Sequence, residues 1–551
     1  MVPCVIFEDE HLLAVNKPAG WNTHSPSPFA GEGIYEWLRQ REPRWASLAI
    51  LHRLDKETSG VLVFGKTSLA NRSLTEQFAR RDVRKNYLLL TDREIPRLAF
   101  TMKSALIRVG DKYASRPGGE PAETLFVPLL ETPFSRENSR LRLARAEPLT
   151  GRTHQIRVHA AENGFPILGD TLYGGTAAPR VFLHAAGIAF RHPATNAPVA
   201  LSAPDNFEAE PRLALRASVI DPETTNAFRL IHGASDGWSG GQVDKLGGFL
   251  LSQSEAPLSA SQQAELVRLA GKFSARGAYH KRLTRHVRQA TPAETSPQLV
   301  WGEPAPAPFE ILENGVRYEL NFNEGYSTGL FLDQRDNRRR WLTGHVAADF
   351  QLPMADGRWG SAPPVQVQGP KAEIRNPKPE ILNVFAYTCA FSVCAAMAGA
   401  RVASLDLSRK YLEWGRRNFA LNGLASGAHD FIYGDAFDWL RRLAKKGRRF
   451  DAVVLDPPTF SQSKQHGVFR VERDLGDLVA AAVRVLPPGG VLLVSANTAG
   501  WEAEQFVASV ESGLQLGKRA ILKRHYVPQP PDFPISRAEP AHFKSLWLQI
   551  D

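Results

Sequence analysis

One carboxylate stands among cations and hydroxyls near the amino end of the chain, in the stretch His52-Arg53-Leu54-Asp55-Lys56-Glu57-Thr58-Ser59-Gly60. Apolar runs at residues 48–51 and 61–64 flank this stretch, which predicts that Asp55 lies on a turn between two buried strands. A carboxylate presented in this way can act as a nucleophile or a base, depending on the cation that orients it. An ion-paired turn capped by Thr58 and Ser59 is the alternative without chemistry.

A second polar segment carries two guanidiniums, two imidazoles and an amide, in the run Arg152-Thr153-His154-Gln155-Ile156-Arg157-Val158-His159. A strand with a period of two would place Arg157 and His159 on one face and Ile156 and Val158 on the other. We therefore predict a strand with a functional face opposite a core face. The alternative is an exposed edge strand whose charges are solvated.

Tyr87 begins an apolar strand at residues 87–90, after a helical stretch at 68–80 and a basic run. A lone tyrosine in this position packs into a core more often than it takes part in chemistry. Basic residues beside an aromatic ring also suit RNA, because phosphates are neutralised and bases stack.

The carboxyl-terminal part has a different pattern. From residue 381 onward strands alternate with helices, which predicts a doubly wound α/β sheet. Asp406 ends the second strand, where an acidic residue can accept a hydrogen bond from a ribose hydroxyl. Asp435 and the run Asp456-Pro457-Pro458-Thr459-Phe460 follow two later strands. Each feature alone is weak, since an acid after a strand is as often a helix cap and Asp-Pro-Pro can be only a turn. Their order is the stronger indication.

The overall charge favours a polyanionic partner. The 551 residues include 67 Lys and Arg against 57 Asp and Glu, which leaves a net charge of +10 and a pI near 9.5. This balance fits nucleic acid. A chain of this length is too long to fold around a single hydrophobic core, so we expect roughly three domains.

Cysteine use and hydropathy bear on the compartment. Cys4, Cys389 and Cys394 provide neither a disulfide framework nor a four-ligand zinc site, so we expect no metal. We find no signal segment and no apolar run that approaches the length of a membrane span. We therefore expect a soluble, cytoplasmic protein without a membrane partner.

Changes of pattern predict the domain boundaries. We expect a first domain at residues 1–207, a proline-containing linker at 208–225, a small α+β domain at 226–325 and an α/β domain at 326–551. The small domain has a hairpin signal at Asn314-Gly315, and the α/β domain an inserted loop at 349–380. A basic cluster suits either an RNA surface or a solvated helix; its members are Lys281, Arg282, Arg285, His286 and Arg288.

Five segments of the first domain resemble the RluA-type pseudouridine synthases, in the family's order: residues 52–60, 85–87, 150–159, 164–174 and 183–193. The resemblance implies a mixed, largely antiparallel sheet with a central RNA cleft. It implies that Asp55 is the catalytic aspartate, that Tyr87 packs on the target base, and that Arg157 is the basic partner of Asp55. It also implies that Arg53 fills the space left by a flipped uridine. We expect three neighbours to bind RNA as well: His52, Arg152 and His154.

Uridine isomerisation makes these roles physically reasonable. The base must be detached, turned and rejoined through carbon, so the nucleotide has to leave the stack. A buried Asp55 would be protonated unless a cation held it ionised. Arg157 suits that task because it is always charged and can pair in bidentate fashion. Attack of Asp55 on the sugar and abstraction of a sugar proton both remain open.

The remainder of the chain resembles the class I S-adenosylmethionine-dependent methyltransferases, in particular the RlmI and RlmK types that act on large-subunit rRNA. Four segments carry the resemblance: residues 328–338, 383–388, 406–414 and 456–464. It implies S-adenosylmethionine as cofactor, with Asp406 on its ribose, Asp435 on its adenine and residues 456–460 along the methyl-transfer site. The cofactor-binding residues expected in full are Tyr387, Thr388, Asp406, Asp435, Asp456 and Pro457. Cys389 stands where the family usually has glycine, so its side chain could weaken cofactor binding.

The cysteines also distinguish between methyl acceptors. Methylation of cytosine at its ring carbon normally needs a thiolate that first adds to the ring. Cys4 lies in the other domain, Cys389 and Cys394 lie on the cofactor loop and the next helix, and Ala496 stands after the last buried strand. We therefore favour transfer to a nitrogen such as guanine N7, as in the RlmK type.

Together these features predict a multidomain α+β and α/β enzyme with two activities on RNA, most simply on large-subunit rRNA. It would isomerise uridine to pseudouridine and transfer a methyl group to a base, catalysed by Asp55, Tyr87, Arg157 and Asp456. Tethering two sites that share a substrate raises the effective concentration of the second. The alternatives are that one domain is active while the other only binds RNA, or that the chain is a non-enzymatic ribosome-assembly factor.

Overall fold

The computed structural model describes residues 2–129, 141–205, 207–283, 296–324, 327–352, 378–463, 467–536 and 539–551. The chain divides into two compact units. Unit 1 contains Met1–Pro26, Glu32–Arg39 and Ser47–Asp221, and unit 2 contains Ser27–Gly31, Gln40–Ala46 and Pro222–Asp551.

Unit 1 is built on an eleven-stranded sheet. Its strands are β1 (Val5–Glu8), β2 (Leu12–Lys17), β3 (Ala49–Ile50), β4 (Ser59–Gly65), β5 (Arg84–Thr91), β6 (Phe100–Val109), β7 (Lys112–Ser115), β8 (Glu120–Leu129), β9 (Arg142–Pro148), β10 (Leu183–Arg191) and β11 (Pro198–Ser202). The order is β1-β2-β4-β10-β5-β9-β8-β6-β7, with β3 beside β4 and β11 beside β10. Only the β4–β10 pair is parallel among these described strands, so the predicted mixed, largely antiparallel sheet is confirmed.

The parallel pair depends on a close approach of two backbones. Gly60 in β4 has φ +117°, and a Cβ placed on it would lie 2.2 Å from the carbonyl oxygen of Ala185 in β10. A side chain has no room there, and this backbone conformation also favours glycine. Every residue of β4 is buried, so the strand after the Asp55 turn lies in the core, as predicted.

Among the described residues of unit 1, four α-helices accompany this sheet: α1 (Ile34–Arg39), α2 (Ser68–Arg80), α3 (Gln155–Glu162) and α4 (Pro211–Val219). The predicted helix at 68–80 is confirmed as α2. The Thr67 side chain accepts the Ala70 N–H at its start, and Arg81 ends it in the left-handed conformation. The segment expected to be a linker contains α4, which has Pro211 in its first turn, a position that tolerates proline.

The predicted strand at residues 152–159 is wrong, because the chain forms helix α3 from Gln155. The alternation of polar and apolar residues suggested a functional face opposite a core face. Instead, polar and apolar side chains from Gln155 to His159 are both buried, and the polar ones have buried partners. The His159 imidazole, for example, lies 2.9 Å from both Ser104 Oγ and Thr124 Oγ1.

Unit 2 begins with a five-stranded sheet in sequential order: β12 (Ala227–His232), β13 (Gly241–Leu246), β14 (Phe249–Ser254), β15 (Gly277–Arg282) and β16 (Gln298–Gly302). Helix α5 (Ala260–Lys272) connects the parallel strands β14 and β15. The hairpin predicted at Asn314-Gly315 is confirmed by β17 (Phe309–Glu313) and β18 (Val316–Leu320). Of the basic cluster, residues 285, 286 and 288 lie outside the described residues.

A seven-stranded sheet forms the rest of unit 2, in the order β23-β22-β21-β24-β27-β29-β28. Its strands are β21 (Glu380–Val384), β22 (Arg401–Asp406), β23 (Asp430–Tyr433), β24 (Ala452–Leu455), β27 (Val491–Asn497), β28 (Ile521–Pro528) and β29 (Phe543–Ile550). The first five in the sheet order are parallel, and β29 and β28 are antiparallel. The predicted doubly wound α/β architecture is confirmed.

Helices and short strands complete unit 2. The helices are α6 (Arg335–Thr343), α7 (Ala390–Met397), α8 (Arg409–Leu421), α9 (Ala436–Lys445), α10 (Val471–Ala482) and α11 (Ala503–Leu516). The short strands are β19 (His345–Ala347), β20 (Phe350–Gln351), β25 (Phe460–Ser463) and β26 (Gly467–Arg470). Neighbouring residues of the central strands enter two different cores: Ile381 and Val454 pack on one face, and Leu382 and Val453 on the other. Burial on both faces explains the continuous apolar runs in the sequence.

The expected inserted loop at 349–380 falls mostly on residues 353–377, outside the described part of the chain. Over the described residues, no helix has both the length and the apolar character needed to cross a membrane. Among those same residues, no group of three or more His, Cys, Asp or Glu side chains is placed to hold a metal ion.

Candidate active sites

The turn that carries Asp55 connects β3 to β4 and is held mainly through its backbone. The Thr23 hydroxyl donates to the Leu54 carbonyl at 2.8 Å and accepts the Leu54 N–H at 3.1 Å. On the other side of Asp55, the Lys56 carbonyl accepts the Gly20 N–H at 2.8 Å. The Asp55 side chain remains 24% exposed. The predicted turn is confirmed, but only the strand after it is buried, because Ile50 of β3 is 37% exposed.

Lys17, the last residue of β2, supports this turn, a role that the sequence did not predict. Its side chain is fully buried, and its Nζ donates to the carbonyls of Pro18, Trp21 and Lys56 at 3.0, 2.6 and 3.2 Å. Burial lowers the pKa of Lys17 to about 7, while the negative charges of Glu57 and Asp55 act in the opposite direction. The sequence feature that could have indicated this role is the position of Lys17 at the end of an otherwise apolar strand.

Arg157 faces the turn from helix α3, but its main partner is Asp170. Its Nε and Nη2 donate to the two carboxylate oxygens of Asp170 at 2.7 and 2.8 Å, and both side chains are buried. Its Nη1 lies 3.4 Å from Glu57 Oε2 and 3.8 Å from Asp55 Oδ2. The structure therefore brings Arg157 and Asp55 together, with Asp170 fixing the orientation of the guanidinium. Residues 164–174 belong to the resemblance described above, but the sequence assigned no role to Asp170.

The carboxylate of Asp55 is subject to opposing influences. Burial raises its pKa above the usual value, and electrostatic interactions with His154 and Arg157 act to lower it. The nearby Glu57 raises it further. Asp55 is thus a carboxylate whose ionisation depends on its neighbours, as expected of a reactive group.

His154 precedes helix α3 in the left-handed conformation, at φ +57°. Its Nε2 lies 3.9 Å from Asp55 Oδ2, and its Nδ1 lies 2.8 Å from the Tyr173 hydroxyl. That hydroxyl also accepts the backbone N–H of Tyr113 at 2.9 Å. Burial lowers the pKa of His154, which favours the neutral imidazole. The structure therefore places this predicted RNA-binding residue next to the reactive carboxylate.

Tyr87 lies on β5, opposite Ala146 of β9 and Ala185 of β10. Burial raises the pKa of its phenol, and the negative charge of Asp55 raises it further. The phenol therefore keeps its proton. The ring also packs against the core around Phe126 and Leu89, so Tyr87 joins the core to the Asp55 site.

The remaining predicted RNA-binding residues differ in their surroundings. Arg53 is exposed, and its guanidinium donates to the Thr153 hydroxyl at 3.3 Å. Arg152 pairs with Glu120 and keeps 38% of its side chain exposed. His52 belongs to the scaffold, because its Nε2 accepts the Val63 N–H at 3.1 Å and burial lowers its pKa to about 3. Asp55, Tyr87, Arg157 and His154 thus converge, while His52 supports them.

In unit 2, Asp406 ends β22 as predicted. Its Oδ2 accepts the Tyr387 N–H and its Oδ1 accepts the Ser408 N–H, both at 2.8 Å. Burial raises the pKa of Asp406, and these two hydrogen bonds lower it. Tyr387 has φ +48°, and its ring lies 4.6 Å from that of Tyr411. Two fixed N–H donors leave further lone pairs of the carboxylate free to accept hydroxyl donors.

Two other predicted cofactor residues make contacts within the protein. Thr388 is fully buried, and its hydroxyl donates to the Gly329 carbonyl at 2.7 Å. Asp435 precedes α9, and its carboxylate accepts the Asp438 N–H at 3.1 Å, which is the contact of a helix cap.

Cys389 has a left-handed backbone, at φ +63°, and its side chain is fully buried. It packs against Gly415 of helix α8. A Cβ placed on Gly415 would lie 2.3 Å from Cys389 Sγ and 2.8 Å from its Cβ. The helix therefore accommodates the cysteine by having no side chain at that position.

Asp456 follows β24 and is held by two polar side chains. Its Oδ1 accepts hydrogen bonds from Ser495 Oγ at 2.5 Å and from Gln334 Nε2 at 2.9 Å. Burial raises its pKa to about 6, the two hydrogen bonds lower it, and the charge of Asp333 raises it. Gln334 is fixed in turn by Asn337, whose amide donates to it at 2.8 Å. Residues 328–338 are part of the methyltransferase resemblance, but the sequence assigned no role to Gln334.

Two further residues extend the Asp456 site. Pro457 is buried directly after the carboxylate. Asp333 accepts the side-chain amide of Asn497 at 2.9 Å, and His542 Nε2 lies 3.6 Å from the same carboxylate.

Comparison with known proteins gives a consistent result for both parts of the chain. Residues 11–162 match the family model described as RNA pseudouridylate synthase, and residues 371–546 match the one described as S-adenosylmethionine-dependent methyltransferase. A ribosomal RNA large subunit methyltransferase of Deinococcus radiodurans is 32% identical over 351 residues, which cover 62% of this chain and 77% of that protein.

Two further relatives match separate regions. Ribosomal large subunit pseudouridine synthase C of Yersinia pestis is 38% identical over 231 residues, 39% of this chain and 70% of its own length. Ribosomal RNA large subunit methyltransferase K/L of Allochromatium vinosum is 40% identical over 190 residues, 34% of this chain and 22% of its own length. The chain therefore joins a member of the pseudouridine synthases, in its amino-terminal part, to a member of the S-adenosylmethionine-dependent large-subunit rRNA methyltransferases.

Proposed function

We propose that this protein modifies large-subunit rRNA in two ways, by converting a uridine to pseudouridine at Asp55 and by methylating a guanine at N7 beside Asp456. The observation that supports a common substrate is that relatives of both parts are named for the large ribosomal subunit. The net charge of +10 fits an RNA partner.

In unit 1, Asp55 acts on the ribose of a uridine that has left the stack. Arg157 favours its ionised form from 3.8 Å, and Asp170 keeps the guanidinium in place. The Tyr87 ring packs on the target base, and Arg53 occupies the space that the base vacates. Arg152, exposed beside the site, binds phosphate.

In unit 2, Asp406 would hold the ribose hydroxyls of S-adenosylmethionine with the lone pairs left by its two backbone donors. Tyr387 and Asp435 would border the same pocket, while Thr388 fixes its wall through Gly329. When bound, the cofactor supplies an electrophilic methyl group. The Cys389 side chain is accommodated by Gly415, so we expect this departure from glycine to be compatible with cofactor binding.

The cysteines support nitrogen over carbon as the methyl acceptor. All three cysteines of the chain are buried. Burial raises the pKa of both Cys389 and Cys394 to about 12, so neither supplies a thiolate at neutral pH. Ala496, in β27, offers no thiol beside Asp456. Guanine N7 has a lone pair and no proton, so its methylation needs neither a thiolate nor a base.

Asp456 has a role suited to that acceptor. Methylation at N7 leaves a positive charge on the guanine ring. A carboxylate beside the base stabilises that charge as it develops, and Ser495 and Gln334 hold it in position. Pro457 restricts the backbone that presents it.

The test maps both modifications in large-subunit rRNA from cells with the parent gene, with Asp55→Asn and with Asp456→Asn. We expect Asp55→Asn to remove one pseudouridine and Asp456→Asn to remove one 7-methylguanine. Loss of a 5-methylcytosine with intact 7-methylguanine would contradict the N7 assignment. Loss of only one modification would support a single active domain, and loss of neither would support an assembly factor.

A further inference from the structure

His154 combines three properties that RNA contact alone does not require. Its Nε2 points to the reactive carboxylate at 3.9 Å, its Nδ1 is held by the Tyr173 hydroxyl at 2.8 Å, and its backbone is left-handed. A residue other than glycine keeps that conformation only where its surroundings impose it. The side chain is 18% exposed, enough for contact with a bound base.

Isomerisation of uridine requires one proton to move. In uridine, N1 is bonded to the ribose and C5 carries a hydrogen, whereas in pseudouridine C5 is bonded to the ribose and N1 carries a hydrogen. After the new carbon–carbon bond forms, C5 must therefore lose its proton, and the electron pair of that bond returns to the ring. Because C5 is then attached to the sugar carbon, the acceptor must lie close to Asp55.

The groups whose charges act on Asp55 are His154, Arg157, Glu57 and Lys17. Arginine stays protonated in proteins, so Arg157 accepts no proton. Lys17 is fully buried, and its Nζ is enclosed by the carbonyls of Pro18, Trp21 and Lys56, so a bound base does not reach it. Glu57 is paired with Arg157 at 3.4 Å, and carboxylates are weaker bases than imidazole.

Tyr87, which is proposed to pack on the target base, keeps its proton in the free protein because burial raises its pKa. Its phenol can donate a hydrogen bond to the base but is a poor proton acceptor. His154 is the neutral imidazole of the site, since burial lowers its pKa.

We propose that His154 accepts the C5 proton in the final step of pseudouridine formation, an inference that rests on the proposed role of Asp55. The C5–H bond breaks, its electron pair restores the double bond of the ring, and a new N–H bond forms at Nε2. The resulting imidazolium releases its proton to water, and N1 takes one proton from water. The reaction then has no net gain or loss of atoms.

The neighbours of His154 are arranged for this transfer. For Nε2 to have a free lone pair, Nδ1 must carry the hydrogen and donate it to the Tyr173 oxygen. That oxygen also accepts the Tyr113 N–H, and a hydroxyl oxygen can accept two hydrogen bonds. The imidazolium formed in the reaction then lies beside the Asp55 carboxylate, which stabilises it.

The decisive experiment uses the full chain and an in vitro transcript of large-subunit rRNA with hydrogen or deuterium at uridine C5. The variant is His154→Asn, because asparagine tolerates the left-handed conformation. We expect pseudouridine formation to slow by about 100-fold or more, with a normal primary isotope effect that the parent lacks. Added imidazole should restore part of the rate.

His192→Gln is the matched control, since His192 also faces a carboxylate, Asp9, at 2.9 Å but lies outside the site. It should keep the parent rate. Thermal unfolding of His154→Asn should match the parent, and its rate is compared at saturating RNA, which separates chemistry from folding and from RNA binding. Glu57→Gln should show no isotope effect.

A slow His154→Asn protein without an isotope effect and without imidazole rescue would overturn the inference while leaving the proposed function intact, and so would a variant that keeps the parent rate. An isotope effect in Glu57→Gln instead would assign the step to Glu57. A parent protein that forms no pseudouridine in the transcript would contradict the proposed function and this inference together.

Discussion

At the scale of single residues, the two carboxylates proposed to be catalytic, Asp55 and Asp456, depend on side chains distant in sequence. Asp170 fixes the guanidinium that faces Asp55, and Gln334 fixes Asp456. Both supporting residues are buried. Substituting them therefore tests positioning separately from chemistry.

Asp170→Asn keeps the size of the side chain and removes its charge. The Arg157 guanidinium then loses its bidentate partner and can turn toward Glu57. We expect kcat for pseudouridine formation to fall by about 100-fold with little change in KM, because a small misplacement of a catalytic group is costly. Steady-state kinetics on an rRNA transcript provide the measurement.

Asp92→Asn is the control for that substitution, since Asp92 accepts the Thr176 hydroxyl in an exposed region. Its kcat should equal that of the parent. An unchanged kcat in Asp170→Asn would show that Arg157 does not need this partner.

Methyl transfer should depend on the ionisation of Asp456. Burial raises the pKa of Asp456 to about 6, so the carboxylate is ionised above that pH and protonated below it. The rate should therefore fall as pH decreases through about 6 at saturating cofactor. Gln334→Leu removes a hydrogen bond that lowers this pKa, so its profile should shift to higher pH. Identical profiles for the two proteins would contradict this role of the carboxylate.

At the scale of elements, local patterns predicted much of the fold. The helix at Ser68–Arg80, the hairpin at Asn314-Gly315 and the alternation of strands and helices after residue 381 follow from caps, turn residues and hydrophobic period. These features depend on neighbours in sequence.

Features that depend on distant partners were missed or misassigned. The segment around His154 and Arg157 alternates as a strand does, yet forms helix α3, because buried partners on other strands satisfy its polar groups. Lys17 and Gln334 were passed over for the same reason, since each has a partner distant in sequence: Lys56 lies 39 residues from Lys17, and Asp456 lies 122 residues from Gln334. The residues proposed to perform chemistry were assigned by resemblance, whereas the residues that support them required the structure.

The contact between Gly415 of helix α8 and Cys389 predicts that substitutions at these two positions compensate each other. Gly415→Ala places a methyl group against Cys389 Sγ and should lower the free energy of unfolding by about 1–3 kcal/mol. Adding Cys389→Gly makes room for that methyl group and relieves the left-handed cysteine, so the double variant should recover most of the loss. Urea unfolding of the parent, both single variants and the double variant measures the coupling. Additive effects would show that the two positions do not share this space.

The turn pinned by Lys17 should make the stability of unit 1 depend on pH. The pKa of Lys17 is lowered from 10.5 to about 7 on folding, so between these values the unfolded chain binds a proton that the folded chain lacks. Stability should therefore rise with pH, by about 2 kcal/mol between roughly pH 7 and 9. Lys17→Met should remove this part of the slope, as measured by urea unfolding at both pH values. An equal slope in the variant would place the dependence on other groups.

At the scale of the whole molecule, two activities share one basic chain. Binding to RNA releases counterions, so raising salt from about 50 to 200 mM should weaken rRNA binding by roughly tenfold or more. Both modifications should then require more RNA for half-maximal rate. The affinity for S-adenosylmethionine, a small ligand, should change little and serves as the control. RNA binding that is insensitive to salt would contradict a role for the net charge of +10.

The parallel pairing of β4 with β10 also determines when the site around Asp55 forms during folding. Ser59 Oγ and His184 Nδ1, at the start of this pair, lie 2.8 Å apart and 125 residues apart in sequence. Closing so long a segment of chain is among the slower events in folding. The strand that follows the Asp55 turn gains this neighbour only after residue 184 has been synthesised. A nascent chain shorter than this therefore carries Asp55, the proposed catalytic residue, without the strand pairing that completes the folded site.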